Sequence, residues 1–112
     1  MKHYNMQNYI RYKQDLEVTL KRIERKDWKD YTRDELIMVF MPLVENIARK
    51  FATSQQASGV MAITDMIQEG HLNLIRAVGR IDWEKIHESE DQEKTLKSFL
   101  SKRIKGGIRR AI

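Results

Sequence analysis

Scarcity of helix-breaking residues is the feature that most constrains the fold of this sequence. Its 112 residues include one proline and five glycines. No segment alternates apolar and polar residues for long enough to predict a strand. Lys, Arg, Glu, Gln, Leu, Ile, Met and Ala, which favour helices, dominate the chain instead. The sequence therefore predicts an all-α protein, a compact helical bundle of about four helices with one modest core.

Apolar residues recur every three or four positions in four segments, which is typical of amphipathic helices. The predicted helices run from about 7 to 26, 32 to 53, 64 to 80, and 94 to the end of the sequence. The Thr32-Arg-Asp-Glu35 segment is a capping box for the second helix, and Thr64 is the predicted cap of the third. Pro42 predicts a kink in the second helix, or two helices meeting end to end, because proline lacks an amide hydrogen.

Between these helices, residues 54–62 and the acidic stretch 87–93 are predicted to form loops. Gly70 falls within the apolar row of the third helix, where it would let another helix approach closely.

Positive charge is concentrated at the end of the sequence, although the net charge is only +5. Residues 94–112 contain no acidic residue and seven basic ones: Lys94, Lys97, Lys102, Arg103, Lys105, Arg109 and Arg110. A solvent-facing stripe of this kind suits phosphate groups. The alternative is a solvated helix end, whose charge suits the C-terminal dipole.

Several other function classes have no support in the residues. The chain has no cysteine, which excludes disulfides, thiol catalysis and zinc fingers. His3, His71 and His87 lack ligand spacing, so neither a metal nor a cofactor is predicted. No nucleophile is paired with a base, so no enzymatic activity is predicted. With no long apolar run for a membrane span and no apolar leader at the N-terminus, a cytoplasmic protein is expected.

The second half of the chain carries a more specific pattern. Residues 65–83 read Asp-Met-Ile-Gln-Glu-Gly-His-Leu-Asn-Leu-Ile-Arg-Ala-Val-Gly-Arg-Ile-Asp-Trp. Before them, residues 42–51 read Pro-Leu-Val-Glu-Asn-Ile-Ala-Arg-Lys-Phe, and after them residues 102–110 read Lys-Arg-Ile-Lys-Gly-Gly-Ile-Arg-Arg. In this order the segments resemble conserved region 2 of bacterial sigma-70-family RNA polymerase sigma factors, in their alternative branch. The resemblance covers about residues 36 to 112.

The resemblance implies a domain organisation and a protein partner. Residues 1–31 would form an N-terminal helix that precedes region 2, and residues 32–112 would form the region 2-like domain. Because the sequence stops without a helix C-cap, a fragment of a longer factor is expected. The family docks region 2 on the clamp helices of the largest subunit of core RNA polymerase. The matching positions are Asp65, Gln68, Glu69, His71 and Ile75. Without the resemblance, these would be a helix cap and solvated polar side chains.

The resemblance also implies binding to the single-stranded −10 region of promoter DNA, where the family captures the non-template strand. The matching positions are Arg76, Arg80, Trp83, Lys85, Lys102, Arg103, Lys105, Arg109 and Arg110. For Trp83 the alternative is core packing. The family's tryptophan pair and tyrosine are replaced here by Gly106, Gly107 and Arg103, so reduced DNA melting is expected.

Two further interpretations remain open on the sequence. One is a sigma-like interaction protein that occupies the polymerase clamp without promoter recognition. The other is an unrelated basic helical DNA-binding module, which the Gln68-Glu69-Gly70 motif disfavours. An anti-sigma or accessory transcription factor is a further partner that the resemblance suggests.

Overall fold

The computed structural model describes residues 2–23, 26–53 and 62–111, and the side chains of these residues except 2–8 and 53. The helices are α1 (Lys2–Arg22), α2 (Arg33–Thr53), α3 (Ile63–Val78), α4 (Trp83–Glu88) and α5 (Gln92–Ala111), and a short 3₁₀ helix (Trp28–Asp30) precedes α2. Within these residues no strand occurs. The predicted all-α class is therefore confirmed.

One core joins all five helices. Its buried residues are Tyr12, Leu16 and Leu20 of α1; Leu36, Val39, Phe40, Leu43, Val44, Ile47 and Ala48 of α2; Met66, Leu74, Ala77 and Val78 of α3; Ile86 of α4; Leu96, Leu100, Ile104 and Ile108 of α5; and Tyr31 before α2. Helix α2 packs against α1, α3 and α5, and α3 packs against α5. Most of the predicted apolar rows are buried, but Tyr9 is 52% exposed.

Two glycines bring α3 close to its neighbours. A Cβ atom on Gly70 would lie 2.8 Å from Val44 Cγ1 of α2 and 3.3 Å from Ile104 Cγ2 of α5. A Cβ atom on Gly107 of α5 would overlap the side-chain amide of Asn73. The expected close approach at Gly70 is therefore confirmed, and Gly107 is its counterpart on α5.

The start of α2 is as predicted, whereas the start of α3 is not. Glu35 N–H donates to Thr32 Oγ1 (3.1 Å), and Thr32 N–H donates to Glu35 Oε1 (2.9 Å), which completes the capping box. Helix α3 begins at Ile63 and Ala62 occupies its N-cap position. The carbonyl of Ala62 accepts the first helical bond, from Met66 N–H. Thr64 therefore lies inside the first turn, and the prediction that it caps the helix is wrong.

Helix α2 continues through Pro42, so the alternative of two helices meeting end to end is wrong. Proline removes the amide that would bond the carbonyl four residues earlier. That residue is Met38, which is 46% exposed. The helix continues even though this one backbone bond is lost.

Helix α4 was not predicted from the sequence. Asp82 caps it by accepting a bond from Lys85 N–H (3.3 Å), and Ile86 is buried. The predicted acidic loop is consequently only residues 89–91, because Asp91 accepts from Lys94 N–H (3.1 Å) and α5 begins at Gln92.

Other helix ends also differ from prediction. Helix α1 begins and ends earlier than predicted, and α3 ends at Val78. Most of the predicted 54–62 loop lies outside the described residues. Within the described part of the chain, none of the helices has the length and apolar character that a membrane crossing requires.

Candidate functional site

Helix α3 is buried along one side only, and its exposed side carries most of the predicted docking residues. Asp65, Gln68 and Leu72 are exposed, and their spacing of three and four residues places them in one row. Glu69 and Ile75 flank this row and are half-buried. The structure thus forms a polar row that ends in an exposed apolar residue, since Leu72 is 48% exposed.

His71, the remaining predicted docking residue, faces α2 instead. Its Nδ1 atom lies 2.7 Å from Met41 Sδ. His71 and Met41 line a shallow recess of about 370 Å³ together with Ile67, Gln68 and Leu72. The recess places an apolar surface directly beside the polar row.

Five of the predicted DNA-binding residues meet in a groove between α3 and α5, called here the basic groove. It has a volume of about 350 Å³ and is lined by Asn73, Arg76, Ala77, Arg80, Lys102, Arg103, Gly106 and Arg110. No acidic side chain is among these lining residues. A Cβ atom on Gly106 would meet only Arg110 Nη1, at 3.5 Å, so this part of the groove is open. Arginine guanidinium groups bind phosphate oxygens in pairs, so the groove can hold a phosphate backbone.

The other four predicted DNA-binding residues lie outside the basic groove. Lys85 is exposed on α4. Trp83 is half-buried and lines a separate pocket of about 130 Å³ with Ile86 and His87. Arg109 packs over the Phe51 ring of α2, at 5.7 Å from its centroid. Partial burial lowers the pKa of Lys105, and the nearby Lys50 and Arg109 cations lower it further.

Asn73, which lines the basic groove, and Phe99, which lies beside it under Arg103, were not among the predicted site residues. Asn73 is buried and its Nδ2 atom donates to the Glu69 carbonyl (2.8 Å). Phe99 lies under Arg103, whose guanidinium carbon is 5.0 Å from the ring centroid. The sequence signal for Asn73 was a polar residue inside the apolar row of α3. The ring of Phe99 is half-buried against the core.

The arrangement offers polar and cationic recognition, and nothing in it is suited to holding a metal. Among the described residues, no group of three or more His, Asp or Glu side chains is placed to bind an ion. Comparisons of the chain with protein-family models, with curated proteins and with solved structures found no match. A functional assignment therefore depends on the geometry of the basic groove and the α3 surface, and on the resemblance of the motifs.

Proposed function

We propose that the chain is a sigma-like transcription initiation domain. It binds the clamp helices of core RNA polymerase and holds the non-template strand of the promoter −10 element. The observation that carries this proposal is the basic groove, which is lined by five cationic side chains from α3, the turn after it and α5. Such a function would place the chain in the cytoplasm, at the nucleoid.

The charge distribution along α3 supports both halves of the proposal. Asp65 and Glu69 lie in the N-terminal half of the helix, whereas Arg76 lies in its last turn and Arg80 just follows it. A negative surface next to an exposed leucine suits a basic coiled coil. The positive end contributes to the basic groove. One helix thereby separates the surface for a protein partner from the surface for DNA.

The second candidate function is a protein that occupies the polymerase clamp without reading promoter DNA. It is favoured by the composition of the basic groove, because no aromatic side chain is among its lining residues. Trp83 lies in a different pocket. Bases are normally held by stacking on aromatic rings, so the groove is better suited to phosphates than to bases.

Docking is tested by reversing the negative charges of the polar row and of Glu69 beside it. The Asp65→Lys, Glu69→Lys variant is expected to lose core-polymerase binding by at least about a hundredfold, since truncating or reversing a buried interface charge costs a few kcal/mol. The matched control is Glu84→Lys, Glu90→Lys, which reverses two exposed charges outside this surface. A folded variant with the affinity of the parent would refute the docking assignment.

DNA binding is tested by neutralising the basic groove with Arg76→Gln, Arg103→Gln and Arg110→Gln. Each lost phosphate contact lowers the log–log salt slope for single strands by about 0.7, so a decrease of about 2 is expected. Run-off transcription with core enzyme then separates the two candidates. A sigma-like parent directs specific transcripts and the groove variant does not. If the parent docks but directs no transcript, the clamp-occupying function is correct.

A further inference from the structure

A second set of cations lies on the side of α5 that faces α1 and α2. Lys97 Nζ is 4.7 Å from the ring centroid of Tyr9 and 4.9 Å from that of Tyr12. Further along α5, Arg109 lies over Phe51 of α2, 5.7 Å from its centroid. Lys97, Lys105 and Arg109 are separated by multiples of four residues, so they form a row that turns gradually around the helix, from the α1 side to the α2 side. We call Tyr9, Phe51, Lys97, Lys105 and Arg109 the second cationic face.

Like charges are crowded on this face. Partial burial lowers the pKa of Lys97, and the Lys50, Lys13 and Lys105 cations lower it further. The acid that opposes this shift is Glu93, whose Oε2 atom lies 2.6 Å from Lys13 Nζ. The charge of Glu93 is therefore largely matched by Lys13. A polyanion would relieve the remaining repulsion.

The second cationic face also offers the aromatic surface that the basic groove lacks. Tyr9 is 52% exposed although Lys97 lies over its ring, and Phe51 is half-buried. Cations beside accessible aromatic rings are the combination that holds single-stranded nucleic acid with little sequence preference. The twelve residue-to-residue steps from Lys97 to Arg109 span about 18 Å of helix, which is enough for several nucleotides.

We propose that the second cationic face binds a segment of single-stranded nucleic acid separate from the one in the basic groove. Phosphates contact Lys105 and Arg109, and a base stacks on the accessible part of Tyr9. Helix α5 then lies between two nucleic-acid segments. This inference does not depend on polymerase docking or on promoter recognition, because it concerns residues outside the groove.

The test uses fluorescence anisotropy with a labelled oligothymidylate across a salt series. The face variant carries Lys105→Gln and Arg109→Gln, and the groove variant carries Arg76→Gln, Arg103→Gln and Arg110→Gln. Each variant is measured alone, and a third variant combines the two sets of substitutions. The face substitutions are expected to lower the salt slope by about 1.4 on both backgrounds, at about 0.7 for each contact. The matched control, Lys21→Gln with Lys29→Gln, removes the same charge at exposed positions.

Tyr9→Leu supplies an independent readout. It is expected to weaken binding about tenfold without changing the salt slope, because stacking of a base is worth roughly 1–3 kcal/mol and releases no counterion. If Lys105→Gln disturbs folding, Arg109→Gln alone is expected to give half of the slope change. A face variant whose affinity and slope equal those of the charge-matched control overturns the proposal. If instead the face substitutions change affinity and salt slope and the groove substitutions change neither, the groove assignment fails and the assignment of the second cationic face is retained.

Discussion

Gly70 illustrates how a single residue sets the distances between helices. Its missing side chain leaves room for Val44 Cγ1 of α2, which would lie 2.8 Å from an added Cβ atom. Ile104 Cγ2 of α5 would lie at 3.3 Å. Both neighbours are buried and branched at Cβ, so neither can move aside without disturbing the core.

Gly70→Ala is therefore expected to destabilise the protein, although alanine favours helix. Overpacking costs about 1–3 kcal/mol, and the gain in helix propensity offsets about 1 kcal/mol of it. Gly106→Ala is the control, because its Cβ atom would meet only Arg110 Nη1. This substitution should raise the free energy of unfolding by up to about 1 kcal/mol. Urea unfolding measures both. Equal changes in the two variants would show that Gly70 does not limit packing.

Tyr12 is a buried residue whose hydroxyl lacks a hydrogen-bond partner in the described structure. Tyr12→Phe removes this unsatisfied group and is expected to raise the free energy of unfolding by about 1 kcal/mol at neutral pH. Tyr31→Phe is the control, for which the expected change in the free energy of unfolding has the opposite sign. The Tyr31 hydroxyl is satisfied by Lys26 N–H (3.1 Å), so its removal costs about 1 kcal/mol.

Alkaline pH gives a second check on Tyr12. Burial, chiefly, raises the pKa of the Tyr12 hydroxyl above its ordinary value of 10.0. Above that pH the unfolded chain ionises the phenol while the folded chain does not, so stability falls as pH rises. The Phe variant lacks this contribution and should lose less stability above about pH 10. Parallel curves for parent and variant in thermal melts across pH 8–11 would contradict the argument.

At the scale of helices, the sequence correctly predicted those features that depend only on contacts within one segment. The Thr32–Glu35 capping box is an example, since both of its bonds join residues three apart. Helix α4 gave no signal, because six residues with one buried side chain, Ile86, are too short to show a period. Pro42 indicated a kink or a break, but α2 continues through it while packed against α1, α3 and α5, and this tertiary packing is not given by sequence alone.

The candidate site was predictable residue by residue but not as an assembled surface. Spacing and charge could place Lys102, Arg103 and Arg110 on one helix. Their convergence with the arginines of α3 depends on how closely α3 and α5 pack, and hence on Gly70 and Gly107. The separation of Arg109 from the groove depends in turn on its contact with Phe51 of α2. These are tertiary effects, and sequence periodicity contains no information about them.

At the scale of the whole molecule, cations on two sides of α5 oppose stability while favouring polyanion binding. The chain has a net charge of +5, and partial burial together with neighbouring cations lowers the pKa of Lys97 and of Lys105. Repulsion between partly exposed charges is screened by salt, because the Debye length shortens from about 10 Å at 0.1 M to about 3 Å at 1 M. Salt should therefore stabilise the parent protein.

Lys105→Gln is expected to raise stability at low salt, although under the proposal above it would weaken nucleic-acid binding. The gain should be about 0.2–1 kcal/mol, the range for partly exposed charge pairs after solvent screening. It should disappear at high salt, where the repulsion is already screened. Thermal melts of parent and variant across a salt series measure this difference, with Lys29→Gln as an exposed control. If Lys105→Gln lowers stability equally at every salt concentration, the packing of its alkyl chain outweighs charge repulsion. The cations of α5 then oppose folding less than their crowding indicates.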